Sequence, residues 1–235
     1  MKTMLLSDLT VIRSYLLQTL IIACLVSVFM AVAMRSTIVI SACITSMIPL
    51  LTAFSLLAYD EINDWQSFRL SLPLSRTDVV CGRYATVFVV TVISAIVGLV
   101  IALIVALIAQ ALGPTSFLAP LSMDNGSIGE LVAGSLAAGS IALIMIAAFI
   151  PPAMKSGMTK GVRYTPFVIM ALFLLGSGAF GEGGVLEPFA QDLLYSLGSG
   201  STSLVIVSAI IAVVSVILFA ISMQVSKGLY ATREL

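Results

Sequence analysis

The sequence predicts an all-α, polytopic membrane protein built from six transmembrane helices. Three observations lead there. The 235 residues are 60% hydrophobic and only 9% charged, and the mean hydropathy is +1.18, outside the range of soluble globular domains. Apolar runs long enough to cross a bilayer recur along the chain. Lysine and arginine collect in every second inter-run segment, with a single exception at Arg35. The whole chain, 1–235, reads as one transmembrane domain.

The expected spans are 16–34, 38–58, 85–112, 131–150, 165–180 and 204–223. At 1.5 Å per helical residue, roughly 20 residues cross a hydrocarbon core of about 30 Å. Before the first span, Leu5, Leu9, Ile12 and Leu16 recur at helical spacing, so 1–15 is expected as an amphipathic helix at the membrane surface. Ala31-Val32-Ala33 resembles a signal-peptide cleavage site, but the apolar run exceeds a signal core and follows fifteen residues, which favours a span. The third run is long enough to tilt or to extend past the membrane. Pro151-Pro152 is expected to end or kink the fourth, since proline lacks a backbone donor and its ring clashes with the preceding turn. The fifth run is short. The glycine-rich segment 181–189 after it could carry the chain back into the outer half of the membrane as a re-entrant element, where protein or water must satisfy its backbone, and the sequence leaves that open.

Orientation follows from the bases. Lys2 and Arg13 precede the first span, Arg69, Arg76 and Arg83 lie between the second and third, Lys155, Lys160 and Arg163 between the fourth and fifth, and Lys227 and Arg233 after the sixth. The segments 113–130 and 181–203 hold acids and no base. Both termini are therefore expected in the cytoplasm. Small residues four apart, Gly98, Ala102 and Ala106, then Gly134, Ala138 and Ala142, then Ser208 and Ala212, let helices approach closely. The pattern leaves open whether they pack within the chain or across a dimer.

Several chemistries are poorly served. Histidine, the usual general base and metal ligand, is absent. The three cysteines, Cys24, Cys43 and Cys81, are isolated, with no CxxC pair, and read as free thiols. No HExxH, GxSxG or phosphate-cradling GxxxxGK[ST] motif occurs, so the chain reads as a non-enzyme without an ATP site of its own. The expected spans hold no ionisable residue, which argues against a proton-driven carrier. Sodium coupling through carbonyl and hydroxyl oxygens stays open.

The polar segment 59–84 concentrates four of the eleven acids, three of the eleven bases and the only tryptophan. Ile62, Trp65 and Leu72 recur at helix-compatible spacing behind Asp60, Glu61 and Asp64, then Pro73 interrupts and Ser75 with Asp78 offers a capping-box-like restart, so a short amphipathic helix, a proline break and a second helix leading into the third span are expected. One reading is an interfacial helix anchored among headgroups by Trp65. The other is a coupling element fitting a groove on a soluble motor, since Trp and Arg are favoured interface anchors.

The residues Glu61-Ile62-Asn63-Asp64-Trp65, then Ser71-Leu72-Pro73-Leu74-Ser75-Arg76 and Gly82-Arg83-Tyr84, resemble the membrane subunits of bacterial type-2 ATP-binding-cassette (ABC) exporters. That resemblance implies the type-2 exporter permease architecture. It implies a permease subunit of the cytoplasmic (inner) membrane that pairs with a second copy or a sister permease and binds two cytoplasmic ABC ATPase subunits, which would hold ATP and Mg. This chain would bind no cofactor, metal or nucleic acid and would contact membrane lipids. Glu61, Asp64, Trp65, Arg69 and Arg76 are the implied ATPase-coupling contacts, with Lys155, Lys160 and Arg163 an accessory cytoplasmic patch. The uncharged spans suit an amphipathic peptide, lipid or drug as cargo. A non-transporting immunity or signalling scaffold and an ATP-independent secondary carrier are the rival readings.

Overall fold

A computed structural model describes residues 2–62, 76–113, 116–122, 128–156 and 201–231, with the single positions 170 and 188. Among the described residues the regular structure is entirely helical: α1 Lys2–Met34, α2 Ile38–Ile62, α3 Arg76–Leu112, a one-turn 3-10 helix Ala119–Leu121, α4 Ile128–Ser156 and α5 Ser201–Ala231. All five α-helices are long and apolar enough to span a membrane. The chain is a multi-pass membrane protein. The expected fifth span, 165–180, and the candidate re-entrant segment lie outside the described residues.

Tight turns bracket the helices at one end of the bundle. α1 stops at Arg35, whose φ of 52° is left-handed. The Ser36 amide donates to the Ala31 carbonyl at 3.1 Å and the Arg35 amide to Val32 at 3.3 Å, closing the last turn in a Schellman arrangement usually built on glycine. α3 ends on a residue suited to the job, Gly113 at φ 78°. Thr37 Oγ1 donates to the Leu121 carbonyl at 3.0 Å, tying the 3-10 helix to the α1–α2 turn.

Hydroxyl residues set the register between helices. Ser41 Oγ donates to the Leu131 carbonyl at 3.3 Å, and Thr45 Oγ1 meets Ser135 Oγ at 3.2 Å, so α2 and α4 run parallel. α3 runs antiparallel to α2, with Ser94 Oγ reaching the Thr45 carbonyl at 3.4 Å. α4 and α5 share the most extensive interface and also run parallel, residues 130–137 lying along 204–211 and Ala147 meeting Ser222. Consequently Ser156 and Ser201 sit at opposite ends of the bundle.

The small-residue stripes pack within the chain. A β-carbon on Gly98 would lie 3.0 Å from the Ser41 carbonyl oxygen and 3.1 Å from Thr45 Oγ1, while one on Gly134 would collide with Ile38 Cγ2. Ala102, Ala106 and Ala142 are fully buried. The outward faces are apolar instead: Ile96, Val100 and Ile104 of α3 and Ile210, Val213 and Ile217 of α5 are exposed, as lipid contact requires.

The helix bounds sharpen several expectations. Pro151 and Pro152, expected to end or kink the fourth span, lie inside α4, which continues through them to Ser156. Within the polar segment 59–84, α2 extends to Ile62, and the helix expected to lead into the third span is continuous with that span as α3 from Arg76. With 37 residues α3 is about 55 Å long, well over a hydrocarbon thickness. Arg83, expected as a loop cation, is inside this helix and only 2% exposed. The segment 1–15, expected as a surface helix, is helical and continuous with the first span.

Candidate functional site

The end of α2, the start of α3 and the ends of α4 and α5 meet at one end of the bundle. The register explains why: α2, α4 and α5 all point the same way, and α3 enters beside them running in the opposite sense. A single buried cluster fills the space between them. It draws Ala53, Leu56 and Leu57 from α2, Val80, Tyr84 and Val87 from α3, Ile146, Phe149 and Ile150 from α4, and Phe219 and Tyr230 from α5. Tyr15 and Leu16 of α1 pack against its margin. Two tilted ring pairs cross the cluster, Phe54 with Phe149 at 4.5 Å and Tyr84 with Phe219 at 4.8 Å. Such pairs add about 0.5–1.5 kcal/mol each beyond the area they bury.

The expected site residues distribute around this end. Glu61 stands in the last turn of α2, Arg76 opens α3, and Lys155 is one residue from the end of α4. The fold therefore brings these three backbone positions to the same end, although 61 and 155 are far apart in the chain. Asp64, Trp65, Arg69, Lys160 and Arg163 lie outside the described residues. Residues 63–75 join two helices that are both packed into the cluster, so the segment expected to couple is attached at both ends to the bundle's core.

At the heart of the cluster is a chain of hydroxyls that the sequence analysis did not single out. Ser222 Oγ donates to the Ala147 carbonyl at 2.5 Å. Tyr84 Oη is 2.8 Å from Ser222 Oγ and 2.7 Å from Ser226 Oγ. A hydroxyl has one proton to give, so the directions are determined. Ser222 has spent its proton on Ala147, hence Tyr84 donates to Ser222; Tyr84 has then spent its own, hence Ser226 donates to Tyr84. Three helices are joined by a one-way relay from α5 through α3 and back through α5 to α4.

The relay ends where α4 needs it. Ala147 is four residues before Pro151, whose missing N–H leaves that carbonyl without its helical donor. Ser222 supplies the replacement from a neighbouring helix. In α2, Pro49 likewise deprives the Thr45 carbonyl, but the nearby Ser94 hydroxyl of α3 gives its one proton mainly to the Thr91 carbonyl at 2.9 Å and reaches Thr45 only at 3.4 Å. An unsatisfied buried carbonyl costs about 1–3 kcal/mol, so Ser222 makes Pro151 tolerable inside a membrane helix. The sequence does carry a signal: Ser208, Ser215 and Ser222 repeat every seventh residue along an apolar helix, Ser226 follows one turn later, and all four are buried.

At the opposite end, Ile38, Gly134, Ala137, Leu204, Val207 and Ile211 help line an apolar hollow of about 290 Å³ between α2, α4 and α5, bordered by Glu130 and Ser208. It holds no cluster of polar groups suited to catalysis.

Comparison with protein-family models matches residues 3–231 to the ABC-2 family transporter proteins. No curated protein and no solved structure matches the chain. The match covers nearly the full length, including all five described helices and the segment between α2 and α3. With residues 3–231 matched, the chain belongs to the ABC-2 transporter permease family.

Proposed function

We propose that this chain is the membrane-spanning permease subunit of an ATP-driven exporter, moved from the cytoplasm through residues 63–75 and the helix ends that flank them. The observation that carries this reading is the convergence of α2, α3, α4 and α5 on one buried cluster at the end where those residues are attached. A push applied to the ends of α2 and α3 reaches the other helices through packed side chains.

Six crossings with both termini inside is the topology we adopt. It is supported by the parallel run of α4 and α5, which puts Ser156 and Ser201 at opposite ends of the bundle. The end bearing Arg76, Lys155 and Lys227 is then cytoplasmic by its excess of bases. ATP and Mg belong to two cytoplasmic ABC ATPase subunits, and the permease pairs with a second copy or a sister permease in the inner membrane. Glu61, Asp64, Trp65, Arg69 and Arg76 form the coupling contact, with Lys155, Lys160 and Arg163 beside it. Nucleotide drives transport only insofar as it favours one permease state over the other. The cargo is an amphipathic peptide, lipid or drug, a class suited to apolar, uncharged spans.

The test is co-purification with a candidate ABC ATPase, followed by ATP hydrolysis in nanodiscs. Trp65→Ala and Glu61→Ala are expected to weaken complex formation and to abolish permease-dependent hydrolysis, since central aromatic anchors typically cost about 2 kcal/mol or more when truncated. Unchanged association and hydrolysis in both variants would refute the coupling role.

A further inference from the structure

We infer that Tyr84 is a positioning residue that latches a proline hinge in α4, and that the latch is the element through which movement of α3 reaches the end of α4. Pro151 removes the backbone bond that would otherwise hold the last turns of α4 to the turn before them. What replaces it comes from outside the helix, the Ser222 hydroxyl at 2.5 Å. That hydroxyl is in turn held by Tyr84, which is held by Ser226. The stiffness of α4 at 147–151 is thus borrowed from α5 and α3 rather than built into α4.

The placement makes the latch responsive. Tyr84 lies eight residues, or about 12 Å, along α3 from Arg76, the residue at which the expected coupling segment joins the helix. Its ring is wedged against Phe219, so a shift of α3 moves the hydroxyl relative to α5. Hydrogen bonds of 2.7–2.8 Å lose most of their strength with a displacement of about 1 Å. When Tyr84 withdraws, Ser222 loses the donor that orients it, and the Ala147 carbonyl loses its hold. The segment beyond the hinge, ending in Lys155 and Ser156, is then free to tilt away from α5. Pro49 in α2 offers no such device: Ser94, the hydroxyl nearest the freed Thr45 carbonyl, is anchored to its own helix through the Thr91 carbonyl.

The functional consequence rests on the exporter reading, whereas the latch is a property of this chain alone and is tested on it alone. The full chain in nanodiscs is followed by amide hydrogen–deuterium exchange over 148–156, with 38–48 as the internal reference. Ser222→Ala is expected to raise exchange over 148–156 by about tenfold, the effect of losing one buried hydrogen bond, and to leave 38–48 unchanged. Tyr84→Phe, which keeps the ring and removes the hydroxyl, is expected to raise it severalfold. Pro151→Ala returns a backbone donor to Ala147, so in the Pro151→Ala/Ser222→Ala double variant exchange falls back to the wild-type level or below. Unchanged exchange in Ser222→Ala overturns the latch, as does a rise that persists undiminished in the double variant. Should Ser222→Ala fail to accumulate, the double variant is compared with Pro151→Ala alone: equal protection supports the latch and a loss overturns it. A chain that binds no ATPase still gives this pattern, so failure of the exporter reading and failure of the latch are read separately.

Discussion

The same substitution at two glycines should change stability in opposite directions. Gly98 and Gly228 are both inside helices, α3 and α5. Replacing either by alanine removes glycine's backbone entropy cost and stabilises a helix by about 1 kcal/mol where nothing else intervenes. Nothing does at Gly228, where a β-carbon meets no atom within 4 Å. At Gly98 it meets three: the Ser41 carbonyl oxygen at 3.0 Å, Thr45 Oγ1 at 3.1 Å and Ile44 Cβ at 3.4 Å. The nearest is main chain and cannot swing aside, and Thr45 is held by Ser135, so relief requires α2 and α3 to separate. Overpacking of this kind costs about 1–3 kcal/mol, which leaves Gly98→Ala destabilised by roughly 0–2 kcal/mol after the helical gain. The two variants should thus differ by about 1–3 kcal/mol. Denaturant unfolding in detergent micelles, followed by tryptophan emission from Trp65 and by helical circular dichroism, measures the difference. If Gly98→Ala is as stable as Gly228→Ala, α2 and α3 are not in the close contact on which the described register depends.

Two further outcomes follow from the geometry. Arg35→Gly relieves a left-handed side-chain conformation worth about 1–2 kcal/mol and gives up a cation at a helix C-terminus worth about 0.3–1 kcal/mol, so a modest gain in thermal stability is expected; a clear loss would mean that the Arg35 side chain contributes more than turn geometry indicates. In a background with Cys24, Cys43 and Cys81 replaced by serine, Phe117→Cys, which is 79% exposed beside the 3-10 helix, should react with an impermeant thiol reagent on intact cells, and Gln224→Cys only in inverted vesicles. The reverse pattern would invert the proposed topology.

Several features of the fold were readable before any coordinates. The apolar runs at 16–34 and 38–58 correspond closely to the spans within α1 and α2, because transfer to lipid depends on hydropathy summed along a local stretch. The helix ends were harder. The residues from Ser75 onward were expected as a helix leading into the third span; in the structure that helix and the span are one, α3 from Arg76, with Val80 and Tyr84 buried against neighbouring helices. The proline pair was expected to end or kink α4; the helix continues through it to Ser156, and Ser222 replaces the missing donor to Ala147. Glu61, Arg76 and Lys155 were grouped as cytoplasmic by charge alone, and the helix directions bring their backbone positions to one end.

Membrane crossing and the segregation of bases are one-dimensional properties, additive over neighbouring residues, and the string of letters is enough to read them. The direction in which Gly98 faces, the serine that rescues Ala147 and the tyrosine that orients that serine depend on atoms 75 and 138 residues apart in the chain. A serine in an apolar helix bonds its own backbone or a neighbour's with similar energy, so its partner is chosen by where the helices come to rest. Folding makes that choice, and with it the route by which force could travel through this permease.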